Sequence, residues 1–407
     1  MRCRHCQAPL RHTFVDLAFA PPSNAYLSRA DLLRAEQYFP LKVMVCSSCW
    51  LVQTLDYQTP AQLFTADYAY FSSTSTQWLT HAAEYAATVR ERLHLSRMSL
   101  VVEIGANDGY LLKNFVAAGI PCFGIEPTAS TAAVAESRGI PVIREFFGER
   151  LAESLAASGR QADLIVGNNV YAHVPDINDF TRGITRLLKP GGCVTLEFPH
   201  LMRLIESTQF DTIYHEHYSY LSLSAVDRIF RANGLRVSDV EELSTHGGSL
   251  RVYGCHAAEP VVATAAVAAL LAAEERYGLR ALTTYERFQP RVDQIKNDLL
   301  EFLLQQKRHG RLVAAYGAAA KGVTLLNYAG VKPDLLPFVC DAAPAKQGKC
   351  LPGSHIPIHP PALLERQRPD FLLILARNIA TEIRAQNAHL AQLGTKFVTA
   401  VPRLEFS

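Results

Sequence analysis

Between residues 99 and 200, short apolar runs alternate with helix-like stretches, and this alternation constrains the fold more than any other feature of the chain. The helical stretches open or close at Gly or Pro, and each apolar run has the length of a buried strand. Parallel strands joined by helices form a doubly wound sheet. The predicted strands are LVVEIG, CFGIEP, ADLIVGNN and CVTLEF. We therefore expect an α/β fold with a Rossmann-like domain in this region.

A second series of the same kind begins at Leu312, after two predicted helices between residues 262 and 307. Its predicted strands are LVAAYG, LPFVCD and FLLILA. A chain of 407 residues has room for two or three domains. We therefore predict two Rossmann-like doubly wound domains, of which the second, with its helical linker, covers residues 261–407.

The rest of the chain is assigned from composition and periodicity. Residues 1–75 are irregular and rich in Pro, Ser and aromatic side chains, which indicates a small N-terminal module without much core. Apolar positions at helical spacing predict a connecting helix over residues 76–97. The central domain then covers residues 76–260. Within it we expect an insertion near residues 199–256, because the alternation lapses there and His, Tyr and Arg become dense.

Charge and hydropathy exclude two classes of partner. The 40 basic and 38 acidic residues leave a net charge of +2, and neither sign forms a run that would follow a phosphate backbone. The longest apolar stretches are strand-length, and the N-terminus has no apolar signal segment. We therefore expect a cytoplasmic protein that binds neither nucleic acid nor membrane. No segment reads clearly as an interface, so the oligomeric state stays open and a monomer is possible.

Four of the nine cysteines form two CxxC pairs, Cys3 with Cys6 and Cys46 with Cys49. Each pair can place two thiolates on one side of a tight turn, so the four sulfurs can surround one Zn²⁺ ion. Two disulfides are the alternative, which a reducing compartment disfavours. Four thiolates leave zinc no open position for a substrate. The expected metal site is therefore structural.

The first Rossmann-like strand runs into a Gly-rich turn in the sequence VEIGANDGY, residues 102–110. Gly105 and Gly109 are spaced as GxxxG, with Asn107 and Asp108 in the turn, whereas a dinucleotide site has GxGxxG. This spacing disfavours NAD. The turn resembles motif I of S-adenosylmethionine-dependent methyltransferases, in which the first glycine holds the methionine part of the donor.

Further residues complete the predicted donor site. Glu126 follows Glu103 by 23 residues, a distance at which a carboxylate can accept hydrogen bonds from both ribose hydroxyls. Phe147, with its neighbour Phe146, would flank the adenine, and Asn168 with Asn169 would close the site. The alternative is a Gly-rich turn that only packs a doubly wound fold, but the ordered set of turn, acid, aromatic pair and Asn-Asn-Val loop favours a bound donor.

Residues 210–220, FDTIYHEHYSY, place seven titratable or phenolic side chains close together. Imidazole titrates near neutral pH and is the commonest general base, so this density indicates proton transfer. One rival interpretation is metal binding by His-Glu-His, although consecutive side chains of a strand point apart. A polar strand with a purely structural role is the second rival.

The second Rossmann-like domain contains one candidate anion site. The sequence YGAAAKG, which begins at Tyr316, ends a strand where a helix starts, and free N–H groups with Lys321 would suit a diphosphate there. Asn378, after the strand FLLILA, is a further candidate for nucleotide contact. The alternative is a well-packed strand–helix turn.

Nearly the whole chain resembles one family, the S-adenosylmethionine-dependent sugar C-methyltransferases that act on dTDP-linked 4-keto deoxysugars. The resemblance rests on CRHCQAPL, DYAYFSS, VEIGANDGYLL, AHVPD, FDTIYHEHYSYLS, THGGSLRVYG, GAAAKG and PGSHIPIHPP, in that order. It implies a zinc-binding module, a central methyltransferase domain and a C-terminal Rossmann-like domain, with the sugar nucleotide between the last two. This chain lacks the hydroxyl residues that related sequences tend to carry in GAAAKG.

By position, the resemblance implies that His217 is the base, with Tyr214 and Glu216 beside it. It also implies that Tyr68 and His173 lie at the reacting sugar. The expected reaction removes the C3 proton next to the C4 ketone, and the carbanion then attacks the donor methyl group in line.

Lys321, Tyr316, Arg251 and Asn378 are carried over as substrate-binding residues. Two other functions stay open as alternatives. One is O- or N-methylation of another small metabolite, which needs no enolate. The other is a zinc-bearing RNA methyltransferase or RNA-binding protein, which the neutral charge disfavours.

Overall fold

The computed structural model describes residues 1–57, 59 and 71–407. Within these ranges the chain forms three sheets, of four, seven and six strands. Helices cover both Rossmann-like sheets, so the expected α/β class with two doubly wound domains and a small N-terminal module is confirmed. The part of the chain that the structure describes has no helix long and apolar enough to cross a bilayer.

The N-terminal module is built on the four-stranded antiparallel sheet. Strands β1 (His12–Ala20), β2 (Phe39–Val45) and β3 (Val52–Thr54) follow one another in the chain. The fourth strand, β9 (Ser219–Tyr220), comes from the segment that the sequence analysis treats as an insertion. The module therefore continues directly into the central part of the molecule.

The module shares its core with the C-terminal half of the chain. Phe14 of β1 is buried and stacks on Phe288, with ring centroids 4.4 Å apart. It also meets the edge of Tyr285 at 5.7 Å. The expectation of little core holds only for the module's own residues, because its apolar face is covered by residues far along the chain.

The central domain begins with helix α1 (Thr76–Arg92), which ends five residues before the predicted boundary. The sheet has the order β10-β11-β8-β7-β4-β5-β6, and β4 to β8 are parallel. Its strands are β4 (Val101–Ile104), β5 (Cys122–Ile125), β6 (Val142–Ile143), β7 (Ala162–Asn168), β8 (Leu188–Pro199), β10 (Leu235–Leu243) and β11 (Ser249–His256). The helices after α1 are α2 (Leu112–Ala117), α3 (Ala129–Ser137), α4 (Glu149–Ala157), α5 (Ile177–Leu187), α6 (Leu201–Glu206) and α7 (Leu223–Ala232).

The stretch from 199 to 256 divides into two parts with different roles. Its first part holds α6, β9 and α7 and carries the dense His and Tyr cluster. Its second part forms β10 and β11, which extend the central sheet in antiparallel fashion beside β8. Residues 235–256 are therefore scaffold rather than insertion, because their apolar side chains complete the core of the sheet.

The C-terminal part begins with helices α8 (Ala265–Tyr277), α9 (Leu282–Glu286) and α10 (Phe288–Arg308). The six-stranded sheet has the order β14-β13-β12-β15-β16-β17 and is parallel except at β17. Its strands are β12 (Val313–Tyr316), β13 (Val339–Cys340), β14 (Ile358–His359), β15 (Phe371–Ile374), β16 (Lys396–Thr399) and β17 (Glu405–Phe406). The remaining helices are α11 (Ala320–Tyr328), α12 (Ala362–Gln367), α13 (Ala380–Gln386) and α14 (Ala388–Gln392).

Candidate active site

A cleft of about 1040 Å³ lies where the carboxyl ends of the central and C-terminal sheets meet. Ligands of doubly wound sheets bind at this end of the strands. The N-terminal module contributes Asn24 and Tyr26 to the wall, and the loop before α11 contributes Ala319. The cleft has the volume of a site for large or multiple small-molecule ligands.

The Gly-rich turn after β4 forms one end of the cleft. Gly105 has a φ of +71°, and a Cβ there would lie 3.2 Å from the side chain of Val170, so glycine is required. The Glu126 carboxylate, at the end of β5, accepts hydrogen bonds from the backbone N–H groups of Asn107 and Thr128, both at 2.9 Å. The cleft is therefore lined here by small residues and one carboxylate, the combination that a nucleoside-binding site requires.

One polar and one aromatic side chain also line this end of the cleft. Asn168 is nearly buried, lines the cleft, and neither atom of its side-chain amide has a hydrogen-bond partner in the described part of the chain. Such orphaned polar atoms are rare in folded proteins and are typically satisfied by a ligand or water. Phe147 lines the same region and packs edge-on against Phe180, with centroids 5.1 Å apart. These residues fit the predicted donor.

Three residues predicted for the donor site lie behind the turn and support it. Glu103 is fully buried, and this burial raises the pKa of its carboxyl well above the usual value. Asp108 is also buried and accepts hydrogen bonds from the backbone and the hydroxyl of Ser73. Gly109 has a φ of +77°, and a Cβ there would collide with Ile140. These three residues therefore shape the turn, and none of them lines the cleft.

His217 lines the same cleft, and a backbone hydrogen bond sets its tautomer. Its Nδ1 is 2.8 Å from the carbonyl oxygen of Thr212. A carbonyl can only accept, so Nδ1 carries the proton and Nε2 is the nitrogen that can accept one. The rings of Tyr214 and His173 lie 4.0 Å and 4.7 Å from the imidazole, between centroids. Desolvation lowers the pKa of His217 well below that of a free imidazole, and the neighbouring His173 lowers it further.

The cleft also lowers the pKa of other basic groups. Burial lowers the pKa of His173 to about 4, although its hydrogen bond to the backbone of Glu216 opposes the shift. Burial lowers the pKa of Lys321 to about 8, against the favourable charge of Asp211. At neutral pH the imidazoles of His173 and His217 are therefore neutral, and Lys321 is cationic. Tyr68 lies outside the described residues.

The neighbours of His217 face different ways. Glu216 is buried, lines the cleft, and its carboxylate accepts a hydrogen bond from the Asn24 side-chain amide at 2.7 Å. His215 points to the N-terminal module, where it meets the edge of the Phe39 ring at 6.0 Å. Residues 213–218 form a turn instead of a strand, but the two histidines still diverge. Among the described residues, the His-Glu-His sequence is not part of any group with metal-ligand spacing.

The C-terminal domain brings two predicted substrate residues to the cleft. Lys321, in the first turn of α11, donates a hydrogen bond from Nζ to Oδ1 of Asn378 at 3.2 Å. Both side chains line the cleft beside Ala319 and Ala320. The start of a helix with a lysine is an environment suited to an anionic group.

Arg251 and Tyr316, also predicted to bind substrate, are packed away from the cleft. Arg251 is buried in β11, where its guanidinium forms ion pairs with Glu197 at 2.8 Å and Glu241 at 3.1 Å. Tyr316 is buried in the hydrophobic core of the C-terminal sheet. Neither side chain lines the cleft, because both are already engaged within the protein, and their contact with a substrate stays a prediction.

The sequence analysis missed an aromatic and imidazole cluster beside the donor end of the cleft. Trp78 contacts His81 and His246, with ring centroids 5.0 Å and 5.1 Å away. His246 has a φ of +54°, and its Nε2 accepts a hydrogen bond from the Asn169 amide at 3.0 Å. His81 Nε2 lies 2.9 Å from the buried Glu197 carboxylate. The sequence signal was available for His246, since it precedes the Gly-Gly turn of THGGS.

The four cysteines of the CxxC pairs form one cluster. All four sulfurs lie within 4.8 Å of one another, and the Cys3–Cys49 and Cys6–Cys46 pairs are each 3.5 Å apart. A disulfide requires about 2.05 Å between sulfurs. Four ligands at the usual Zn–S distance of about 2.3 Å lie roughly 3.8 Å apart at the corners of a tetrahedron. None of the four cysteines is joined in a disulfide, and the cluster therefore fits structural zinc.

Three family models match successive parts of the chain. "Putative zinc binding domain" matches residues 3–64, "Methyltransferase domain" matches residues 78–240, and "C-methyltransferase C-terminal domain" matches residues 244–402. The order of the three matches follows the module, the central sheet and the C-terminal sheet.

Individual proteins are similar to the whole chain or to part of it. C-methyltransferase NovU of Streptomyces niveus is 35% identical over 400 residues, which cover 98% of this chain and 95% of NovU. A ubiquinone biosynthesis O-methyltransferase of a Methylobacterium species is 31% identical over 96 residues, 23% of this chain and 37% of that protein. The solved structure of magnesium protoporphyrin IX methyltransferase from Synechocystis aligns with a TM-score of 0.36 and 14% identity, over 44% of this chain and 83% of that chain. This chain belongs to the family of S-adenosylmethionine-dependent C-methyltransferases that includes NovU, with a zinc-binding module at its N-terminus.

Proposed function

We propose that the protein methylates C3 of a dTDP-linked 4-keto deoxysugar, with His217 as the base. The observation that carries this proposal is the Nδ1–H tautomer of His217, whose Nε2 is left to accept a proton in a cleft shared by the Gly105 turn and Lys321. Methylation at oxygen or nitrogen would not need a base matched to a carbon acid. The resemblance of residues 210–220 to sugar C-methyltransferases supports the same substrate class.

The reaction requires more than a base. A C–H group next to a ketone is a weak acid, and an imidazole of ordinary pKa about 6.5 cannot ionise it unaided. A positioned base contributes about 10²–10⁴-fold to the rate, so the enolate oxygen must also be stabilised by donors. Tyr214 and His173, whose rings pack on His217, are the candidates among the described residues, and Tyr68 is a third from the sequence.

The lowered pKa of His217 serves this step in one way and opposes it in another. The imidazole is neutral at physiological pH and ready to accept a proton, but it is a weaker base than free imidazole. Negative charge on the bound substrate and on the forming enolate would favour the imidazolium and offset this weakness. The substrate's own charge thus assists its deprotonation.

Each of the two reactants is assigned to one end of the cleft. S-adenosylmethionine supplies an electrophilic methyl group, and we assign its methionine part to Gly105 and its nucleoside to Glu126 and Phe147. Lys321 and Asn378 would bind the diphosphate through a cation, an amide and the backbone N–H groups at the start of α11, without the hydroxyl side chains of related sequences. This division places the sugar between them, next to His217.

The direct test incubates the enzyme with methyl-labelled S-adenosylmethionine and several dTDP-4-keto deoxysugars, then locates the new methyl group by NMR. We expect a carbon–carbon bond at C3. A labelled O-methyl or N-methyl product from any of these sugars would support the alternative function instead. Absence of transfer to every dTDP sugar, with transfer to another ketone, would overturn the substrate class but leave C-methylation in place.

A further inference from the structure

The N-terminal module holds the backbone of residues 210–220, called the catalytic segment below. Thr54 of β3 contacts it twice, because its N–H donates to the carbonyl of Tyr218 and its hydroxyl donates to the carbonyl of His217, both at 3.1 Å. β9 then continues the pairing, with Gln53 opposite Ser219. The base is therefore fixed from two sides, through its ring by Thr212 and through its backbone by the module.

A second contact reaches a side chain of the catalytic segment. Asn24 donates to the Glu216 carboxylate at 2.7 Å, and Glu216 is only 2% exposed. Asn24 belongs to the loop of residues 21–26, which the Tyr26 hydroxyl ties to the carbonyl of Ala318 at 2.6 Å. The same loop of the module therefore contacts the catalytic segment and the C-terminal wall of the cleft.

These contacts connect directly to the zinc ligands. Gln53, next to Thr54 in β3, donates from Nε2 to the sulfur of Cys3 at 3.2 Å. The N–H of Cys46 donates to the carbonyl of Leu51 at 3.0 Å, which closes the turn before β3. The position of β3 therefore depends on the four-cysteine cluster.

We propose that Asn24 and Thr54 are positioning residues for the methyl transfer, so that the zinc module acts in catalysis by holding the catalytic segment in place. The inference rests on the proposed function of His217 and extends it to residues that belong to neither Rossmann-like sheet. It assigns the zinc a role in turnover through β3, without contact to either reactant.

The experiment compares zinc-loaded, full-length Asn24→Ala and Thr54→Val with wild type. Tyr38→Phe is the matched control, since the Tyr38 hydroxyl is also a contact from the module to the C-terminal part, to the carbonyl of Gly353 at 3.3 Å, but lies away from the cleft. For each protein we would measure kcat, the KM for S-adenosylmethionine, zinc content, thermal midpoint and hydrogen–deuterium exchange of peptides within residues 210–220.

We expect kcat to fall about tenfold in each variant, the effect of one lost hydrogen bond at the upper end of its usual range. The KM for the donor, the zinc content and the thermal midpoint should stay at wild-type values, while the catalytic segment exchanges faster. Tyr38→Phe should match wild type throughout. Unchanged kcat and exchange in both variants would overturn the proposal, and so would a fall in kcat that is accompanied by loss of zinc or weaker donor binding.

His217→Asn, assayed in parallel, separates this inference from the proposed function. If His217→Asn retains turnover, the base assignment fails, whatever the module variants do. If His217→Asn is inactive while Asn24→Ala and Thr54→Val remain fully active, only the positioning role is lost.

Discussion

At the scale of single residues, the proposed activity depends on the charge states of two groups in the cleft. His217 must be neutral to accept a proton, and its lowered pKa keeps it so to a pH below that of an ordinary imidazole. Lys321 must be cationic to bind a diphosphate, and its pKa of about 8 means that the charge is lost as the pH rises through that value. His217 thus limits activity at acid pH, and Lys321 limits it at alkaline pH.

We therefore predict a bell-shaped pH profile for kcat/KM, which reports the free enzyme. Activity should fall on the acid side only below about pH 6.5, the ordinary imidazole pKa, and on the alkaline side near pH 8, the lowered pKa of Lys321. Lys321→Arg keeps its charge at all accessible pH values, so its alkaline limb should move well above that of wild type. An alkaline limb that is the same in both proteins would contradict the role of Lys321.

A second prediction at this scale concerns the donor. Glu126→Ala removes the acceptor of two backbone N–H groups and the proposed partner of the ribose hydroxyls. The dissociation constant for S-adenosylmethionine, measured by calorimetry, should rise by about tenfold or more, because hydrogen bonds to a charged group are the stronger kind. Glu136→Gln is the control, since Glu136 pairs with Arg144 at the surface. Equal affinity in the two variants would remove Glu126 from the donor site.

At the scale of elements, the zinc cluster joins the start of the chain to the turn between β2 and β3. The CxxC spacing predicted this cluster from the sequence, since two thiolates on each tight turn leave little freedom. Seven buried strands of the two Rossmann-like series were also predicted, because each lies in a continuous apolar run. Strands β6, β14, β16 and β17 were not predicted, because each has only two to four residues and none lies in such a run. β10 was missed because its residues alternate with charged side chains and were assigned to the insertion.

Replacement of one zinc ligand tests whether the cluster holds the start of the chain against the turn between β2 and β3. In Cys46→Ser we expect loss of bound zinc and a fall of at least about 3 kcal/mol in the free energy of unfolding, since structural zinc contributes directly to folding. Metal analysis and urea denaturation give the two quantities. Cys122→Ser is the control, because Cys122 is partly buried and lies outside the cluster. Full stability of Cys46→Ser without zinc would show that the metal does not hold the module together.

At the scale of the whole molecule, the cleft exists because three parts of the chain pack as one unit. Phe14 stacks on Phe288, although the two residues lie 274 positions apart in the sequence. No local pattern in the sequence specifies such a contact, so the shared core of the module was not predictable. For the same reason the ion pair of Arg251 was not predictable, because its partner Glu197 becomes its neighbour only when β8 and β11 pair.

Phe14→Ala should therefore destabilise more than the module itself. Removal of a buried phenylalanine typically costs about 3–5 kcal/mol, and we expect the module and the C-terminal part to unfold in one transition that moves to lower urea. Fluorescence and circular dichroism should report the same midpoint. Exposed Phe19→Ala provides the comparison, with little expected change. Two separate transitions would show that the shared core does not couple the parts.

The central claim is that His217 removes a proton from the carbon next to the ketone. The measurement that tests it most directly is exchange of that ring hydrogen with solvent deuterium, followed by NMR in a dTDP-4-keto deoxysugar without a methyl donor. Wild type should exchange the C3 hydrogen, and His217→Asn should do so at least about 10²-fold more slowly, the lower bound for a lost general base, with unchanged affinity for S-adenosylmethionine. Exchange at the wild-type rate in His217→Asn would contradict the claim.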